Sequence, residues 1–166
     1  MVMKMKRLLS LFTVLCLPVA AEEAAFVSSR TLSMDTANKL VMAAAHHCTK
    51  KGYQVSVAVT DRSGNLLAFI KNPLAGSHTI DVAILKAKTA ASFQTPTLEM
   101  MQGFDRLRDA PNVLLIGGGV PVKLGGHMYG AVGVSGAPRK KVTGDMDHEC
   151  GQQGIEAVRE ALEFAQ

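Results

Sequence analysis

The sequence predicts an α+β domain in which an antiparallel sheet of four to five strands is flanked by helices. Three observations carry that expectation. The β-rich runs come in pairs separated by turn residues, so hairpins rather than helical crossovers join them. Stretches with helical spacing of apolar residues stand before, between and after those pairs. Between Asn112 and Pro138 the chain reads NVLLIGGGVPVKLGGHMYGAVGVSGAP, which holds more than half of its fifteen glycines. They alternate with aliphatic residues instead of Ser, Gln or charge, the pattern of sheet with special backbone and not of a linker.

Residues 1–21 read as a signal peptide. Met1 to Arg7 is basic, Leu8 to Leu17 is apolar, and Val19-Ala20-Ala21 offers small residues for cleavage before Glu22. Its apolar run is shorter than the roughly 20 residues that span a bilayer. The expected location is therefore periplasmic or secreted, with residues 22–32 a flexible arm and 33–166 one domain.

The domain opens with a helix. Ser33 is placed to cap it, and Ala37, Leu40, Val41, Ala44 and Cys48 recur on one face. At about 100° per residue His46 lies opposite that stripe and His47 on its flank. Gln54 to Thr60 and Leu66 to Lys71 are strands joined through Asp61-Arg62-Ser63-Gly64-Asn65, which suits a type I turn. His78 to Phe93 is an alanine-rich helix with Ile80, Ala83, Ile84, Ala87 and Ala91 inward and Lys86 and Lys88 outward. Such small side chains allow close packing on a sheet or against a second subunit. Leu98 to Leu107 reads as a short helix. Val120 to Leu124 and Met128 to Val134 flank a Gly125-Gly126 turn, with Gly130 and Gly133 marking a close approach by a helix or a ligand. Asp145 to Gln166 closes the chain as a helix, with Gly151, Ile155, Val158, Ala161, Leu162 and Ala165 inward and acids near its start. The order predicts a profilin-like or PAS-like layered domain with both terminal helices on one face of the sheet.

Composition excludes some functions. The formal charge is +4, with 48% apolar and 19% charged residues, and the basic residues form no stripe interleaved with aromatics, so nucleic acid is not an expected partner. Gly117 to Gly119 precede a strand and lack dinucleotide or P-loop spacing. His148-Glu149 lacks the second His of a zinc-protease helix. Asp145, Asp147 and His148 form a carboxylate–imidazole cluster that could bind a metal, but acids at the start of a helix more often serve as caps and dipole partners, and Ser135 lacks the frame of a nucleophile elbow. A small-molecule reductase or isomerase would have to use a sheet cleft lined by Asp61, Lys86 and Ser135. Cys48 and Cys150 are the even pair left after signal cleavage, and antiparallel terminal helices bring them within reach of a disulfide. The alternative is two buried free thiols.

VAVTDRSGNLLAFIKN at Val57 to Asn72, AILKAKTAASFQTPT at Ala83 to Thr97, and the segment from Gly117 to Ala157 that contains GVSGAP resemble the GlcG/HbpS-like family of haem-binding and haem-sensing proteins, related to the PduO C-terminal domain. The resemblance implies an α/β sandwich, homo-oligomers, and haem binding in preference to catalysis. It also implies an iron-ligating histidine on the first helix, hence His47 or His46, with His47 better placed. Haem iron takes an imidazole and its propionates take cations; Arg139, Lys140 and Lys141 offer the cations, unless they form only a solvated turn. His78, His127 and His148 are lesser candidates. A corrinoid or other flat ligand remains an alternative, and a membrane sensor or transporter is a further conceivable partner. The leading expectation is an exported haem-binding protein for capture, buffering or sensing. The competing ones are the small-molecule enzyme and a scaffold for a membrane partner.

Overall fold

The computed structural model describes residues 25–165; residues 1–21, read above as a signal peptide, and the first residues of the arm lie outside the described residues. The elements are α1 (Met34–Lys50), β1 (Ser56–Thr60), β2 (Leu66–Lys71), α2 (Thr79–Phe93), α3 (Thr97–Met100), a 3-10 turn (Asp105–Leu107), β3 (Gly119–Leu124), β4 (His127–Ser135), α4 (Asp145–Glu156) and α5 (Arg159–Glu163). Every strand pair is antiparallel, in the order β2-β1-β4-β3. The fold is thus the α+β arrangement of four strands flanked by helices.

Alternation along the strands explains the layering. Val55, Val57 and Val59 of the β1 region and Val132 and Val134 of β4 point to one face, where Leu40, Val41, Ala44 and Cys48 of α1 and Cys150 of α4 cover them. The opposite face carries Ala58, Ala131 and Met128, and α2 covers it with Ala83, Ala87, Ala90 and Ala91. Both terminal helices therefore lie on one side, as the antiparallel pattern requires.

Paired glycines set the distance of α2 from the sheet. Gly119 and Gly133 stand opposite each other on β3 and β4. A Cβ on Gly133 would collide with the Ala83 carbonyl oxygen, and one on Gly119 with the Lys86 carbonyl oxygen. What approaches these glycines is helix backbone. The alanine face of α2 is consequently buried within the chain and does not by itself argue for a subunit contact.

Local chemistry follows the sequence closely at the ends of elements. The Ser33 hydroxyl accepts from Thr36 N at 3.2 Å as an N-cap. In the β1–β2 turn Gly64 N donates to Asp61 O at 3.1 Å, and Gly64 takes φ +84°, a conformation open to glycine. The Asp61 carboxylate closes the turn from inside, accepting from Ser63 N, Asn65 N and Asn65 Nδ2.

Four expectations are corrected. Lys86 is not outward but 2% exposed, because it finds a buried carboxylate on α4. The helix read over Leu98–Leu107 is only the turn α3 and a 3-10 turn, since Gly103 at φ +86° separates them. The closing helix breaks after Glu156, and the change of phase at Ala157 and Val158 leaves Ala161 and Ala165 exposed while Val158 and Leu162 stay buried. Asp61 and Ser135 do not share a cleft. Ser135 pairs with Ser56 at the start of β1 whereas Asp61 follows its end, so about five strand residues, roughly 16 Å, separate them.

Candidate functional site

α1 and α4 pack along a seam in which three successive pairings are built. Cys48 and Cys150 meet as a disulfide, with Cα atoms 5.7 Å apart, and both are buried. Beside it, His47 Nε2 lies 3.1 Å from Glu149 Oε1. Lys51 Nζ reaches the same carboxylate oxygen. The Lys51 ammonium first, and then the His47 imidazole, holds the Glu149 carboxyl below its ordinary range. His46 is exposed, as its place opposite the buried stripe requires.

One turn earlier on α4, Asp145 organises the segment that follows GVSGAP. Its carboxylate accepts from the backbone N–H groups of Lys140, Lys141 and Val142 as well as Met146. Those bonds, the Lys141 and Lys140 amides foremost, lower its pKa to about 2. Asp145 and Glu149 are four residues apart on one helix face, about 6 Å along the axis. The Arg139-Lys140-Lys141 turn and His47 therefore flank the same face of α4. Arg139 and Lys140 are themselves exposed.

Under this face sits a pair that the sequence did not disclose. Lys86 Nζ donates to Asp147 Oδ2 at 2.7 Å and to Val134 O at 2.9 Å, and Asp147 Oδ1 accepts from Ala137 N at 2.9 Å. Asp147 is thus a buried link between α2, β4 and the SGAP segment, while Asp145 alone does the capping expected of both. Burial pushes the Lys86 ammonium down and the Asp147 carboxyl up. Gly118 passes directly over the pair, where a Cβ would strike Lys86 Nζ and the Asp147 side chain. Lys86 is thereby committed and unavailable to a cleft with Asp61 and Ser135.

The remaining histidines are scattered. His78 precedes α2 and His127 starts β4, both exposed. His148 is half-buried on α4 with Nδ1 unpartnered, and burial lowers its pKa against an opposing effect of Glu99. Among the described residues no group of three or more His, Cys, Asp or Glu side chains is placed to hold a bare metal ion. A porphyrin iron asks less of the protein, since one imidazole suffices on a face. His47 suits that role chemically. A ligating histidine commonly directs its other ring nitrogen at a carboxylate, which fixes the tautomer, and Glu149 stands in that position.

The segment from residue 32 to residue 156 matches the family described as "Haem degrading protein HbpS-like". The chain belongs to the HbpS-like family. Protein GlcG of Escherichia coli is 35% identical over 108 residues, 63% of this chain and 81% of that protein. The crystal structure of a double Glu-to-Asp mutant of Streptomyces reticuli HbpS has a TM-score of 0.75 at 36% identity, covering 86% of this chain and 97% of that one. A PduOC:heme complex has a TM-score of 0.65 at 25% identity, covering 76% of this chain and 94% of that one. The HbpS-like match therefore spans the seam, the Lys86–Asp147 pair and the SGAP segment together.

Proposed function

We propose that this protein is an exported haem-binding protein that works as a homo-oligomer in capture, buffering or sensing of haem. The observation that carries the reading is the His47–Glu149 pairing at the α1–α4 seam, an imidazole oriented by a carboxylate with cations on either side. If the Nε2–H is directed at Glu149, Nδ1 keeps its lone pair for iron. Lys51, Arg139 and Lys140 supply charge for the propionates. The family match and the relative that is a haem complex support the ligand class.

His47 is half-buried, and it lines neither the concavity of about 580 Å³ at the hairpin tips nor the one of about 410 Å³ beside β3 and α4. Bound there, a porphyrin would rest on an open face and need a second apolar wall, which another copy of the chain is suited to provide. Leu66, the first residue of the edge strand β2, and Leu74, just past its last, are exposed and offer apolar contacts for such association. Export rests on the basic and apolar pattern of residues 1–21.

The test is a pyridine haemochrome assay on protein isolated from haem-supplemented cells. The proposal expects haem in a fixed ratio to chains, lowered by His47→Ala. A trace content that the variant leaves unchanged would contradict it.

A further inference from the structure

A cavity of about 580 Å³ opens where the N-terminal arm crosses the tips of both hairpins. Arg62 enters it from the β1–β2 turn, Lys123 and His127 from the two sides of the β3–β4 turn, and Ser28 and Arg30 from the arm. Gln94, just past α2, closes one side. Among the described residues no carboxylate lines it.

Among the described residues, nearby acids do not neutralise this charge. Asp61 adjoins Arg62, but both its oxygens are engaged inside their own turn. Among the described residues no ion pair involves Arg62, Arg30 or Lys123. Among the described residues, Arg30 Nη1 meets the Ala165 carbonyl at 3.5 Å, and Lys123 Nζ donates to the Gln94 carbonyl. Cations gathered in a concavity repel one another and focus a positive potential there. Guanidinium groups also carry forked donors that match planar or tetrahedral oxyanions.

We propose that this cleft binds a small oxyanion bearing two or more negative charges. It lies at the far end of β1 from the α1 terminus that carries His47, so it is a second site and does not rest on the haem reading. The anion would bridge the arm to both hairpin tips, with Arg62 and Arg30 as its main donors and Lys123 and His127 beside them. Ordering of the arm on the sheet follows from that bridge.

Calorimetric titration of the full chain with citrate and, separately, with pyrophosphate tests this at constant ionic strength. At least one is expected to bind saturably, at one per chain, with affinity falling as sodium chloride is added. Arg62→Glu should weaken that binding at least about tenfold, the scale of one charge-assisted contact. Arg30→Ala should weaken it as well. A preference for citrate identifies a carboxylate ligand, and a preference for pyrophosphate a phosphate. Both arginines are exposed, so their variants should keep the wild-type melting temperature, and Arg62→Ala is the milder substitute if Arg62→Glu does not. No saturable binding of either anion overturns the proposal. Binding that survives the arginine variants but is lost in Lys140→Ala also overturns it, by moving the site to the turn beside α4.

Discussion

Lys86 Nζ lies 2.7 Å from Asp147 Oδ2 across the interior, with both side chains almost wholly shielded from solvent. The two residues are 61 positions apart, and the contact fastens α2 to the start of α4. Taking one partner away strands the other charge in a low-dielectric site. Lys86→Met and Asp147→Asn should each lower unfolding stability by roughly 3–5 kcal/mol, and the Lys86→Met/Asp147→Leu double variant should recover part of that loss. Urea unfolding measures it. Single variants as stable as the wild type would contradict the structural role.

Acid stability should follow from carboxylates that folding stabilises in their charged form. Asp145, lowered to about 2, and Glu149, also lowered, bind fewer protons folded than unfolded. Their contribution is present above their unfolded pKa values near 4 and is lost as pH falls through the folded ones. His148, lowered by burial, adds a shallower loss that begins as pH drops below its ordinary 6.5. Thermal melting from pH 7 to pH 2 should show both parts, and Asp145→Asn should flatten the lower one. An unchanged acid limb in that variant would count against the Asp145 cap.

The Cys48–Cys150 bridge closes a loop with a sequence separation of 102. Its removal by paired substitution to Ala should cost roughly 2–4 kcal/mol. Thiol counting on denatured, unreduced protein that begins at Glu22, made under the oxidising conditions that the proposed export implies, should find none per chain. Two reactive thiols would refute the bridge.

Association of copies is open to direct measurement. Light scattering on the full chain at micromolar concentration should give a multiple of the chain mass. A clean monomer would remove the second apolar wall that the haem reading invokes.

The elements built on local pattern were legible in the sequence. Ser33, the 3.6-residue stripe of α1, the Asp61–Asn65 turn and the Gly125-Gly126 hairpin between β3 and β4 each declare themselves within a few residues. Cys48 and Cys150 were legible because few partners compete for them. Lys86 was not, because a lysine beside an alanine stripe ordinarily faces water, and nothing near it in sequence announces Asp147. Asp147 was masked in turn by its position in the first turn of a helix, where acids usually act as caps. The break between α4 and α5 has no proline, and the glycines of α4 lie before it at Gly151 and Gly154. The Glu149 that orients His47 comes from the opposite end of the chain and became apparent only once the two helices were packed.

Soret absorption titration of the wild type, His47→Ala and His46→Ala with hemin tests the central claim most directly. A saturable, stoichiometric shift is expected for the wild type and for His46→Ala, with weakened binding and an altered iron spin-state spectrum for His47→Ala. Weak, non-saturating changes in the wild type, or spectra identical in all three proteins, would contradict haem ligation from the first helix.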